Sequence, residues 1–174
     1  MNINERNSRH EACIEAGKAM MAAARTAPKA KGVDIIEISL VTDEEKQQIA
    51  DEMRRIAETI DMKFFLRDAL NIEAAEAVLL IGTREMNLGL NCGRCGFGHC
   101  TDKGEGIPCA FNSVDVGIAV GSACRTAMQW CVDTRVMYSA GRAAQQLGFP
   151  TNDSRQVIAL PISISSKSPF FDRK

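Results

Sequence analysis

Apolar residues recur along this chain with two different periods, and the switches between them mark out the elements. Residues 7–25 are rich in Ala, Met and Glu, good helix formers, and the run ends before Pro28 and Gly32. Residues 33–40 alternate, with Ile36, Ile38 and Leu40 on one face and Glu37 and Ser39 on the other, which predicts a half-buried strand. Thr42 and Glu45 have the spacing of a capping box, and Ile49, Met53, Ile56 and Ile60 follow at helical spacing. Residues 64–76 read as another helix. The unbroken apolar run 77–81, closed by Gly82, has the pattern of a strand covered on both faces. Residues 113–131 and 134–147 read as two packed helices, after which Gly148, Pro150 and Asn152 break the chain. Ile158, Leu160, Ile162 and Ile164 alternate through a last strand over 157–164. Pro161 marks that strand as an edge or a bulge, since proline cannot donate to a ladder.

These elements predict an α/β fold, with α+β as the variant: a small sheet of about three or more strands covered by helices. The length, 174 residues, is that of one domain, so a single layered domain over 1–174 is expected. Residues 89–111 interrupt it. That stretch is dense in Gly and Cys and has no periodicity.

The insert reads Cys92-Gly93-Arg94-Cys95-Gly96-Phe97-Gly98-His99-Cys100, and after Thr101 to Pro108 comes Cys109, a C-x2-C-x4-C-x8-C spacing. Soft thiolates suit iron, and four of them complete the irons of a cubane, so Cys92, Cys95, Cys100 and Cys109 are the candidate ligands of a 4Fe–4S cluster. Glycines at 93, 96 and 98 reach positive φ at little cost and let backbone N–H groups approach sulfur. Zinc also accepts four thiolates, or three with a histidine such as His99. Structural zinc sites more usually pair two C-x2-C knuckles, and a second knuckle is missing. A glycine-rich loop with reduced, unliganded cysteines is the remaining alternative.

Composition narrows the partners. With 21 basic against 22 acidic residues the net charge is −1, and aromatics make up 5% of the chain. Neither a basic face nor a stacking platform is indicated, so no nucleic-acid partner is expected. Lys29 with Lys31 is a short basic pair, and Arg173 with Lys174 a solvated tail. No stretch approaches the roughly 20 apolar residues of a membrane span, and residues 1–12 lack the apolar region of a signal peptide. A cytoplasmic location follows as an expectation. There thiols stay reduced, so seven cysteines, four of them within eighteen residues, point to metal or redox chemistry before disulfides.

The chain resembles, nearly end to end, a family of small uncharacterised bacterial proteins with a ferredoxin-type domain. The resemblance rests on residues 23–29 (Ala-Ala-Arg-Thr-Ala-Pro-Lys) with Gly32-Val33-Asp34, on Phe64-Phe65-Leu66-Arg67-Asp68, and on residues 89–96 (Gly-Leu-Asn-Cys-Gly-Arg-Cys-Gly). It continues through Cys109-Ala110-Phe111, residues 117–123 and the closing Phe171-Asp172-Arg173. The shorter run from Cys92 to Cys100 is similar to the four-cysteine 4Fe–4S module of corrinoid iron–sulfur proteins and electron-transport complex subunits. This implies a cluster on Cys92, Cys95, Cys100 and a fourth cysteine. Such modules commonly place the fourth ligand farther downstream, which leaves Cys109 and Cys124 as the two candidates.

Arg25-Thr26-Ala27-Pro28, together with the helices over 117–147, also resembles nitroreductase-type flavoproteins. In those proteins an early Arg/Ser segment holds the flavin phosphate and two long helices form the dimer core. The resemblance implies FMN, an Arg25–phosphate contact and a homodimer through those helices. Arg25 serves equally well as a cap on the end of its helix. His99 stands beside Cys100, where it would either tune a cluster or face solvent. Cys13, and Cys124 with Cys131 sharing a helix face, read as core residues. Gly117 and Gly121 suggest close approach of another helix or of the cysteine loop. The expected function is electron transfer through an iron–sulfur cluster to an unidentified redox partner. An FMN-dependent, nitroreductase-like oxidoreductase and a zinc-stapled interaction module are the alternatives.

Overall fold

A computed structural model describes residues 1–171; Arg173, Lys174 and the Asp172–Arg173 end of the closing motif lie outside it. Five helices cover the two faces of one four-stranded antiparallel sheet, which is the expected α/β arrangement. In chain order the elements are α1 (Glu5–Thr26), β1 (Ile36–Val41), α2 (Asp43–Ile60), α3 (Phe64–Ala74), β2 (Ala77–Arg84), α4 (Ala110–Gln129), β3 (Asp133–Thr134), α5 (Tyr138–Gln146) and β4 (Ser154–Ser163). The strand order is β1-β2-β4-β3.

The central strand β2 behaves as its apolar run predicts. Val78 and Leu80 point into a core with α2, α3 and α5, while Leu79 and Ile81 point into a second core with α1 and α4. Each such side chain, withdrawn fully from water, contributes roughly 1.5–3 kcal/mol. The sheet is thereby fixed from both sides, and its ends present rigid edges to the loops.

The structure corrects several details. Pro161 is not on an edge strand, because β4 lies between β2 and β3. Ala159 donates its N–H to Met137 on the β3 side, and residue 161, of the same parity, faces that side too. There β3 contributes two residues, paired with Ser163 and Ile162, so the missing donor falls where the ladder is thin. The register shift of β4 lies instead between the pairs of Ile81 and Thr83, where Gln156 has φ +52°. Thr42 precedes α2, but its hydroxyl turns to Asp43 and no capping box forms. The predicted helix over 134–147 starts only at Tyr138. Cys131 lies past the end of α4, exposed and at φ +56°, so it does not share a buried helix face with Cys124. Among the described residues, Gly117 and Gly121 have nothing within 4 Å of where a Cβ would stand, so no described element approaches them closely.

The packing of α2 on α3 carries a pH-dependent tie. Arg54 donates to Glu73 Oε1 at 2.6 Å. That hydrogen bond, followed by one from Gln47, holds the Glu73 carboxyl below its ordinary range. A depressed carboxylate stabilises the fold above its unfolded value, and that share is lost as pH falls through the folded value. Both side chains are about a third exposed, so the share is under about 1 kcal/mol. Urea midpoints of wild type and Glu73→Gln are expected to differ at neutral pH and to converge below about pH 4. Among the described residues no helix is long and apolar enough to cross a membrane.

Candidate metal centre

The segment joining β2 to α4 carries Cys92, Cys95 and Cys100 and ends at Cys109, the residue that caps the start of α4. Buried polar side chains in the first turns of α4 anchor its surroundings. Asn112 Oδ1 accepts from the Met86 N–H at 3.1 Å, where the segment leaves β2. Asp115 accepts from the Ala30 N–H at 3.1 Å, and Lys31, next along, donates to the Leu88 carbonyl at 3.0 Å. One helix thus holds both ends of the loop and the turn that leans on it.

Within the loop, Cys92-Gly93-Arg94-Cys95-Gly96 folds tightly. The Gly96 N–H donates to the Gly93 carbonyl at 3.0 Å, with φ +70° at Gly93 and +91° at Gly96. An L side chain at either position would be strained. Asn91 and Cys100 lock the next turn from both directions. The Cys100 N–H donates to Asn91 Oδ1 at 2.8 Å, and the Asn91 N–H points to Cys100 Sγ at 3.4 Å.

All four expected ligands line one space. Cys92, Cys95, Cys100 and Cys109 wall a cavity with about 340 Å³ of empty volume, part of it open to solvent, together with Leu88, Phe97, Phe111 and Lys103. None of the four is in a disulfide. Cys109 is buried and stands at the positive end of the α4 dipole, where negative charge is favoured. Arg94 stacks on Phe111, one of the wall residues, with its guanidinium carbon 5.9 Å from the ring centre.

The thiols do not converge on a point. No group of three or more His, Cys, Asp or Glu side chains among the described residues is arranged to hold a metal ion. Tetrahedral zinc, with sulfur at ~2.3 Å, draws its thiolates to about 3.8 Å from one another, whereas a polynuclear core keeps them farther apart. The donor set fits such a core: four soft sulfurs, one N–H aimed at sulfur and a mainly apolar wall. The enclosed part of the space takes about one water molecule, so the side chains around a bound core stand wider apart than they do here.

The other candidates lie elsewhere. His99 is exposed and does not line the cavity. Arg25 is occupied: Nη1 donates to both Asp34 oxygens, at 2.8 and 2.7 Å, and to the Ile36 carbonyl at 2.7 Å, tying the end of α1 to β1. Cys124 lies fifteen residues along α4 from Cys109, about 22 Å at 1.5 Å per residue. It packs against the α1/α4 core, and burial pushes its thiol up. Burial, reinforced by the Glu76 carboxylate, pushes the Cys13 thiol up to about 11. At pH 8 roughly one Cys13 in a thousand is then thiolate. In metal-free native protein, iodoacetamide is expected to label the exposed Cys92 and Cys131 and to reach Cys13 only after denaturation, as peptide mass spectrometry would show.

Three contributors were not legible as such. Asn91 and Asn112 read as ordinary polar residues, although an Asn directly before the first cysteine is compatible with the positive φ of +47° it adopts. Lys103, in the arm between Cys100 and Cys109, carries no sequence signal of burial. Its side chain is in fact 4% exposed.

Comparison with known proteins bears on the family and on the fold. The sequence model of "Uncharacterized protein containing a ferredoxin domain (DUF2148)" matches residues 105–173, a stretch that includes Cys109 and begins after the other three cysteines. An uncharacterised protein of the archaeon Archaeoglobus fulgidus is 43% identical over 183 residues, spanning 99% of this chain and 98% of its own. Among solved structures, the fold is similar to a nitroreductase family protein from Clostridium novyi NT, with TM-score 0.62 and 14% identity over 99% of this chain and 79% of that one. It is also similar to a putative nitroreductase in complex with FMN from Desulfovibrio desulfuricans, with TM-score 0.61 and 11% identity over 92% and 78% of the two chains. At those identities the likeness is one of fold. The near full-length match to the archaeal protein, with the motif carried by α4, α5 and β4, places the chain in the family of uncharacterised proteins containing a ferredoxin domain.

Proposed function

We propose that this protein is an electron carrier in which Cys92, Cys95, Cys100 and Cys109 hold a 4Fe–4S cluster on a nitroreductase-like scaffold. The observation that carries the reading is the single cavity walled by all four free thiols. A cluster bound there supplies one-electron transfer. The chain supplies the rest. Cys109 is held by the rigid start of α4, while the glycine turn at 93 and 96 brings Cys92 and Cys95 to the same space. Leu88, Phe97 and Phe111 limit water access, and the Asn91 N–H donates toward the Cys100 sulfur, a hydrogen bond of the kind that orients a metal ligand. Cys92 is exposed, with the half-exposed Leu90 beside it, so this side of the site is the one a redox partner protein would meet.

Protein purified without oxygen is expected to be brown, with broad absorbance near roughly 400 nm that bleaches on adding dithionite. A colourless preparation unaffected by dithionite refutes the reading.

One observation favours a second cofactor. A cleft of about 670 Å³, open to solvent, runs between α4, α5 and β4, lined by Val116, Val120 and Val157 with Tyr138, Arg142 and Gln145. Apolar walls with a few polar groups and a guanidinium suit a flavin phosphate and ring, and the Desulfovibrio neighbour is described as an FMN complex. In this reading the protein is a flavin-dependent reductase that the cluster supplies with electrons. Resolved flavin bands in the purified protein, or quenching of FMN fluorescence on titration, support it. Neither effect at micromolar protein removes it.

A further inference from the structure

Among the described residues lining the thiol cavity, Lys103 is the only Lys, Arg, Asp or Glu. Its side chain is 4% exposed, and its Nζ has one recorded acceptor, Glu85 Oε1, at 3.4 Å. An ammonium has three donors, and a buried cation with a single long contact is expensive unless further negative charge faces it. The backbone sets it there. Cys100–Asp102 forms a short 3-10 turn, Lys103 continues extended, and the Gly104–Ile107 turn, closed at 3.3 Å with φ +77° at Gly106, sends the chain on to Cys109. Lys103 therefore lines the same cavity as the thiols, with its ammonium turned to Glu85.

Resting on the reading that the four thiols hold a cluster, we propose that Lys103 is its built-in counter-charge, favouring the electron-loaded form and so raising the reduction potential. An electron taken from a reduced partner adds one negative charge to the site, and a fixed neighbouring cation stabilises the more negative state. A unit charge at roughly 6 Å in an effective dielectric of about 20 shifts a one-electron equilibrium on the order of 100-fold. Glu85 offsets part of that, which leaves about tenfold.

The test uses wild type, Lys103→Met, Lys103→Gln and Lys103→Arg, all purified without oxygen. Iron is measured per chain, and the visible absorbance is followed in a potentiometric titration. At the wild-type midpoint, the ratio of reduced to oxidised protein is expected to fall about tenfold in the two neutral variants, a 59 mV lower midpoint for a one-electron couple. Lys103→Arg is expected to stay within about threefold. Neutral variants that lose iron while Lys103→Arg keeps it also support the counter-charge. Full iron with a change under about threefold in the neutral variants overturns it, as does loss of iron from all three variants, which assigns Lys103 to packing. Wild-type protein without iron is the separate result that removes the cluster reading itself.

Discussion

Replacing Cys95 with serine is expected to lower the iron bound by anaerobically purified protein about tenfold or more, whereas Cys13→Ser and Cys124→Ser keep it. Even partners one step removed from a metal typically change affinity by about 10–100-fold, and a serine hydroxyl replaces a soft ligand by a hard one. Cys92→Ser, Cys100→Ser and Cys109→Ser are expected to behave like Cys95→Ser, because the four thiols wall the same cavity. The controls follow from geometry. Cys13 is fully buried on α1 in the core, and Cys124 packs there too, about 22 Å along α4 from Cys109. Iron per chain, read with the visible absorbance, checks the series. Equal iron in Cys95→Ser, Cys13→Ser and Cys124→Ser would refute the assignment. If Cys109→Ser kept its iron while Cys124→Ser lost it, the fourth ligand would be Cys124.

The second large effect concerns the scaffold. Gly141→Ala is expected to destabilise the fold by about 3 kcal/mol or more. A Cβ at Gly141 would collide with the Val157 carbonyl oxygen and stand 2.7 Å from its carbon and 2.9 Å from the Ile158 Cα. These are backbone atoms of β4, so no side chain can turn away to make room. Helix α5 must lift from the sheet, withdrawing Ala140, Ala143 and Ala144 from the core they fill. For a chain of this size that corresponds to a fall in Tm of roughly 6–12 °C. Gly117→Ala provides the contrast. The added methyl meets nothing within 4 Å among the described residues, and alanine is the better helix former, so a gain of about 0.5–1 kcal/mol is expected. Thermal melts of the two variants decide both. A Gly141→Ala protein as stable as wild type would mean that α5 does not press on β4 as described.

The contrast between those two glycines also shows what could and could not be read in advance. Period and propensity are local, so β2, α2 and the alternation of β1 were legible from their own residues. Gly141 and Gly117 look alike in sequence, and what separates them is the distance to a strand that follows sixteen or more residues later. The start of α5 was misplaced for a similar reason. Asp133 and Thr134 join the sheet through Ser163 and Ile162, partners that a reading of residues 131–137 does not contain. At the candidate site the cysteines that line one cavity were legible as a set because thiols at that spacing have few other uses. Their supports were not. The contacts of Arg25 Nη1 with Asp34 and the Ile36 carbonyl, and the burial of the Lys103 side chain, have no signature in the residues around them. Burial of a polar residue depends on the tertiary fold, and no local pattern encodes it.

The most direct test of the cluster is elemental analysis of wild-type protein purified and handled without oxygen, with iron, acid-labile sulfide and zinc determined per chain. About four irons and about four sulfides with negligible zinc are expected. One zinc per chain with neither iron nor sulfide would contradict the account and leave the four thiols as a structural staple.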